Sequence, residues 1–341
     1  MARKILLFKP KKGRSKNEKE KNEKKSEQEF QEERKREKKR KKAGTLHNEQ
    51  GGNPPVSCLS PLSLPRPGGR GNSDRVTVPC GRCYECLSAK RNDWSFRLQE
   101  ELKDARSAYF LTLTYNDENM YVTTDGEQSL FKRDVQLFLK RLRRFQEKDI
   151  AKYHSGDKMA EIALKAKIRY YTIGEYGPLT QRPHYHAIML NVRANVAERF
   201  EEIWGLGHVK IGTVTPGSIH YVTKYMIGTV EEMGNREKPF AMISQKMGSA
   251  YLKRAGFWAR NNKSNFVVTA EGFKQRIPRY YRDKLYSESV KEQMREESIK
   301  RQTARENAEI EKKGKDYWIE QDYRKKAGIE KLNRLNKKGK L

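Results

Sequence analysis

Apolar periodicity begins near Trp94 and fades after about Tyr286, which locates the packing part of the chain in its middle. Residues 92–105 carry Trp94, Leu98 and Leu102 at helical spacing and predict an amphipathic helix. The run Tyr109–Tyr115 is dense in β-formers and closes at Asn116-Asp117, the pattern of a strand entering a turn. Residues 133–146 place Val135, Leu139 and Leu142, with Phe138 and Phe145, on one stripe, and Lys140, Arg141, Arg143 and Arg144 lie around it. That spacing predicts a helix with one apolar and one basic face. Three more strands are expected at Lys167–Ile173, His184–Val192 and His208–Val214. After Pro216-Gly217, Ser218 is a good N-cap type for a helix running to about Ile227. Helices and strands mix without a regular βαβ alternation, so the expected class is α+β, an antiparallel sheet with helices packed on one face.

The flanks differ in kind. Residues 11–42 are almost wholly polar, with Phe30 the only large apolar side chain, and cannot bury enough surface to offset their ordering entropy. Residues 51–72 hold Gly51-Gly52, Pro54-Pro55, Pro61, Pro65, Pro67 and Gly68-Gly69, the chemistry of a linker. Of 341 residues only 35% are hydrophobic and 34% are charged, against roughly 45–50% and about 25% in ordinary globular chains. One modest core with polar extensions is the consequence. No apolar run approaches the ~18 residues of a membrane span. Ile5-Leu6-Leu7-Phe8 is also shorter than the ~7–15-residue apolar region of a secretory signal, so a cytoplasmic location is expected.

Charge then points to a partner. The formal net charge is +29; residues 1–50 carry 19 basic and 9 acidic side chains, residues 289–341 carry 16 and 10, and residues 51–288 retain +13. For the two ends a solvated surface accounts for the excess. An excess sustained through the folded part suits a phosphate-binding face, which makes nucleic acid the expected partner. Arg141, Arg143 and Arg144 are candidates for such contacts, with a solvated basic helix face as the alternative.

Three segments can carry chemistry. In Pro183-His184-Tyr185-His186, side chains two apart on a strand share a face, so His184 and His186 present adjacent imidazoles while Tyr185 faces away. Two neutral imidazoles make half of a divalent-metal site, although unrelated surface histidines produce the same string. Glu175 follows the expected strand Lys167–Ile173, and a turn there would bring it beside His184. A carboxylate with two imidazoles suits Mg²⁺ or Mn²⁺ sharing a phosphate oxygen, whose natural work is polarising a phosphodiester. In Tyr221-Val222-Thr223-Lys224-Tyr225, the two phenols are four apart and share a helix face with Lys224 nearby. They are either nucleophiles assisted by positive charge or amphipathic side chains packed on a sheet.

Taken together and in this order, His184-Tyr185-His186 and Tyr221-x-x-Lys224-Tyr225 resemble the signature of the HUH endonucleases. Phe110–Tyr115 resembles the first motif of their replication-initiator branch, and Glu175 fits the place of an acidic third ligand. The strings Pro79–Cys86, Asp134–Leu142 and Pro278-Arg279-Tyr280-Tyr281 are similar to the replication initiators of gokushovirus-type microviruses. The resemblance covers about residues 78–286. It implies an antiparallel sheet of RRM-like topology, with the histidines on a central strand and the tyrosine helix across it. It also implies Tyr221 and Tyr225 as alternating nucleophiles, Lys224 as their assistant, and Mg²⁺ or Mn²⁺ on His184, His186 and Glu175. The substrate implied is single-stranded and origin DNA, with a host DNA polymerase and helicase as partners and no membrane. A relaxase or a transposase of the same chemistry is the alternative; a further one is a non-enzymatic, zinc-containing nucleic-acid binder.

Cys80, Cys83 and Cys86 are spaced C-x₂-C-x₂-C, and the only other cysteine is Cys58. In a reducing compartment this count points away from disulfides and toward a structural Zn²⁺ site, an iron–sulfur cluster and free thiols being the alternatives. The expected organisation is therefore a disordered basic arm and linker at 1–57 and a cysteine cluster at 58–90. An HUH endonuclease core at 91–235, an accessory segment at 236–288 and a basic helical tail at 289–341 follow.

Overall fold

A computed structural model describes residues 58–65, 75–154, 166–224 and 233–338. The basic arm expected at 1–57 lies outside these residues, as does Tyr225. In chain order the elements open with strands β1 (Leu62–Pro65) and β2 (Arg75–Val78), helix α1 (Tyr84–Leu102) and strand β3 (Ala108–Thr114). Helix α2 (Lys132–His154), strands β4 (Arg169–Tyr176) and β5 (Pro183–Leu190), short helices α3 (Ala194–Ala197) and α4 (Phe200–Trp204), and strand β6 (Val209–Thr213) follow. Next come helix α5 (Pro216–Lys224), strand β7 (Phe240–Ile243), helices α6 (Tyr251–Arg254) and α7 (Gly256–Asn261), and strands β8 (Phe266–Val268) and β9 (Lys274–Arg276). Helices α8 (Arg279–Leu285), α9 (Glu288–Lys313) and α10 (Lys315–Lys338) close the chain.

The class is α+β, as the pattern predicts. Five strands form one antiparallel sheet in the order β6-β3-β5-β4-β7. Numbered from β3 as first, its first four strands lie in the order 4-1-3-2, a split βαβ arrangement of RRM-like topology. The strand with the histidines, β5, is central. A fifth strand, β7, comes from the segment expected to be accessory, and α1 runs through the boundary expected at 90/91.

The expectation of helices on one face alone is corrected. One face buries Leu111, Leu113, Tyr185, Ala187 and Met189 against Val135, Phe138 and Leu142 of α2 and Phe200 and Trp204 of α4. The other buries Tyr171, Ile173, Ile188 and Leu190 against Leu98 of α1 and Ile219 and Val222 of α5. The alternation of β3, β4 and β5 supplies apolar side chains to both faces, so both need cover. Helix α1 is itself buried on two sides. Leu98 faces the sheet, whereas Phe96 joins a smaller core with Ala259, Val267, Ile277, Tyr281 and Leu285. Its start at Tyr84, earlier than the apolar stripe indicates, follows from Cys83 standing in extended conformation before a polar first turn.

Gly207 sets the entry to β6. Its φ is +151°, and a Cβ there would strike the backbone of Thr114, Tyr115 and Asn116, where Asn116 N donates to Leu206 O (2.9 Å). No helix among the described residues is long and apolar enough to cross a membrane.

Candidate active site

Strand register builds the site. Thr114, His184 and Glu175 form one cross-strand row, and Thr112, His186 and Ile173 the next, all on the face covered by α1 and α5. The alternation expected for the histidine segment holds: Tyr185 is fully buried on the opposite face, its hydroxyl 2.8 Å from that of Tyr115 and accepting from Phe131 N (2.9 Å). Glu175 differs in one respect from the expectation. It lies within β4, directly paired with His184, because β4 continues to Tyr176 instead of turning after Ile173.

Helix α5 brings the phenol. It starts two residues before the expected cap: Ser218 N donates to Thr215 Oγ1 (3.2 Å), and Thr215 N donates to Ser218 Oγ (2.8 Å). This is a reciprocal cap, with Pro216 in the first helical position where its missing N–H costs nothing. Val222 and Ile219 pack on the sheet, and Thr223 Oγ1 lies 2.8 Å from Ser95 Oγ of α1. Tyr221 is thereby turned to the histidines. Lys224 follows one turn along and is half-buried.

Three donors meet one oxygen. His184 Nε2 lies 2.9 Å, His186 Nε2 3.1 Å and the Tyr221 hydroxyl 2.7 Å from Glu175 Oε1. Tyr221 is also 3.4 Å from His186 Nε2. Glu175 is 3% exposed, and its Oε2 is buried with no hydrogen-bond partner. Burial alone would raise the Glu175 carboxyl, but the hydrogen bonds from His184, His186 and Tyr221 bring it down to about 2. Burial lowers His184, yet its bond to Glu175 outweighs that and leaves it above the ordinary value. Burial and the Glu175 charge both push the Tyr221 phenol up.

The far nitrogens are held as well. His184 Nδ1 donates to the carbonyl of Arg182 (3.2 Å), and His186 Nδ1 lies 3.0 Å from Thr112 Oγ1. Phe110 stacks on His186 with centroids 5.5 Å apart and planes within 10°. With Nδ1–H of His184 spent on a carbonyl, its Nε2 faces the carboxylate either as an imidazolium or with a lone pair that a divalent cation between them would satisfy. One carboxylate oxygen and two imidazole nitrogens, all within 4.8 Å of one another, are a fitting donor set for such a cation. Thr112 and Phe110 were missed as supporting residues. The period-2 alternation of the β3 string could have found them, since it puts both on the histidine face.

The arginines are not brought there. Their helix, α2, covers the opposite face of the sheet. Arg141 is half-buried and donates to the carbonyl of Trp204 (2.7 Å), Arg143 lies over the Tyr170 ring, and Arg144 is exposed. The lysine that shares the histidine face is Lys210, exposed and paired in register with Thr112.

The cysteines do converge. Their four sulfurs lie within 4.8 Å of one another, and all are free thiols. Cys80 N donates to Cys58 Sγ (3.1 Å) and Cys83 N to Cys80 Sγ (3.3 Å).

An O/N/N cluster on the central strand of a split βαβ sheet, faced by a helix-borne phenol, is the arrangement that the HUH resemblance implies. Residues 108–229, which span all of these elements, match the family model of the phage-type replication-associated protein ORF2. The chain is similar to three phage proteins. It is 27% identical to the replication-associated protein ORF4 of Chlamydia phage 1, over 61% of this chain and 53% of that protein. It is 26% identical to the replication-associated protein VP4 of Bdellovibrio phage phiMH2K, over 60% of this chain and 66% of the relative. It is 24% identical to the replication-associated protein ORF2 of Spiroplasma virus 4, over 77% and 87%. The matched part thus spans between half and two thirds of the first two relatives. These similarities bear out the resemblance to gokushovirus-type replication proteins read from the motif strings. No solved structure matches the chain.

Proposed function

We propose that this protein initiates rolling-circle replication by cutting single-stranded origin DNA through a tyrosine. The observation that carries the reading is the meeting of His184, His186 and the Tyr221 hydroxyl at a single oxygen of Glu175. A nucleophile is thus held beside a metal-type cluster, on a face whose rim carries Lys210.

In the proposed reaction the Tyr221 oxygen attacks the phosphorus and the bond to the 3′ oxygen breaks. The 5′ phosphate stays on the tyrosine, and the 3′ oxygen leaves as a free hydroxyl after taking up a proton. The phenol's own proton has an acceptor in Glu175, to which the hydroxyl already donates. Because burial and Glu175 hold the phenol protonated, its deprotonation requires positive charge nearby. Lys224 supplies part of it. Mg²⁺ or Mn²⁺ held by His184, His186 and Glu175 would supply the rest, and would neutralise the scissile phosphate.

The phosphodiester's energy is kept in the covalent link, so rejoining needs no ATP. The 3′-OH primes a host polymerase, with a host helicase opening the duplex. Tyr225, four residues beyond Tyr221 in the sequence, cuts the regenerated origin while Tyr221 holds the old end, and the waiting 3′-OH closes the released circle. The test is adduct formation on a single-stranded origin oligonucleotide with Mn²⁺. Tyr221→Phe and Tyr225→Phe should each weaken cleavage, the double variant should form no adduct, and EDTA should abolish cutting. An adduct surviving in the double variant overturns the nucleophile assignment.

A further inference from the structure

We infer that Cys58, Cys80, Cys83 and Cys86 form a tetrathiolate zinc site whose work is to fasten the C-terminal helix α10 and the β1–β2 hairpin to the first turn of α1. Four sulfurs at the corners of a tetrahedron around zinc, with Zn–S of about 2.3 Å, stand roughly 3.8 Å apart. Here Cys83 Sγ and Cys58 Sγ are 3.9 Å apart, and all four lie within 4.8 Å of one another. Backbone N–H groups already donate to Cys58 and Cys80 sulfurs, the kind of contact that supports a thiolate. Four soft sulfur donors select zinc over the hard cations suited to the Glu175 cluster.

The surroundings show what such a site has to hold. The hairpin has four residue pairs and no core of its own: every residue of β1 is exposed, Leu62 and Leu64 included. An isolated two-stranded ladder is marginal in water. Cys58 precedes this hairpin and Cys80 follows it, so a metal at the sulfurs closes the loop at its base. Cys83 stands at the N-terminus of α1 and Cys86 is buried in its first turn. Helix α10 rests on the same corner. Gly328 sits so close to Leu59, the neighbour of Cys58, that a Cβ there would collide with its side chain. Lys331 Nζ lies 5.3 Å over the ring of Tyr84, the neighbour of Cys83. The segments on either side of the cluster are therefore the contact surface of the C-terminal helix, and small polar-rich assemblies of this kind need a staple.

The inference is independent of the proposed strand cutting and is tested without it. Full-length protein purified without chelator is expected to hold one zinc per chain, to keep it in Tyr221→Phe, and to lose it in Cys58→Ser and Cys83→Ser. Cobalt in its place should give the strong visible absorption of tetrahedral sulfur ligation. Protein free of metal at these cysteines, or one carrying iron and sulfide, overturns the zinc assignment. Withdrawal of zinc should speed proteolytic cleavage within α10 about tenfold or more, and Leu59→Ala should speed it while zinc is retained. Cleavage unchanged by both overturns the fastening role.

Discussion

Thr112→Val isolates one atom of the proposed metal site. The exchange keeps a β-branched side chain of similar size on β3 and removes only the hydroxyl 3.0 Å from His186 Nδ1. When Nε2 of His186 serves as a ligand, Nδ1 carries the hydrogen and Thr112 Oγ1 accepts it, so the hydroxyl fixes the useful tautomer. Losing such a partner typically weakens metal binding about 10–100-fold, or roughly 1.4–2.8 kcal/mol. The lower end applies here, because the stacked Phe110 and a ring only 9% exposed keep His186 oriented. The direct assay is Mn²⁺ titration followed by the signal of the free ion, with adduct formation against Mn²⁺ concentration alongside. The midpoint of both should rise about tenfold, with the saturated rate held within about twofold. Thr114→Val is the control: its hydroxyl donates to His208 O (3.1 Å) and not to either imidazole. An unshifted midpoint in Thr112→Val, or an equal shift in Thr114→Val, refutes the reasoning.

Three other outcomes are expected. Tyr185→Phe leaves Phe131 N without the oxygen it donates to and should cost about 1–3 kcal/mol in urea unfolding, with Mn²⁺ affinity unchanged because Tyr185 faces the other side of the sheet. Thr223→Val removes the link to Ser95 from a fully buried position, and a loss of about 1–2 kcal/mol by thermal or chemical denaturation should follow. Lys210→Ala should weaken binding of a single-stranded oligonucleotide and flatten the slope of log affinity against log salt by about 0.7. Arg144→Ala, on the opposite side of the sheet, should leave that slope nearly unchanged.

Local pattern carried much of the fold. The β-rich string at Tyr109–Tyr115 and the apolar stripe at 133–146 became β3 and α2 within a residue or two at their starts, because each has a strong single-period signal. Boundaries failed where the cause is not periodic. β4 runs on through Gly174 and Glu175 because it pairs with β5 along its full length, and α1 begins in a polar turn beside the cysteines. Its second apolar side, through Phe96, was illegible because a helix buried on two sides has no single stripe.

What the sequence determined by itself is which residue types can do chemistry and, through the two-residue period of a strand, that His184 and His186 share a face. It could not determine what stands across from them. Strand order and register placed Glu175 opposite His184, Thr112 beside His186 and Lys210 on the same face, and turned α2 with its arginines to the other side. Those relations join residues far apart in the chain. They depend on which apolar faces are buried together, a choice made by the whole core and not by any segment within it.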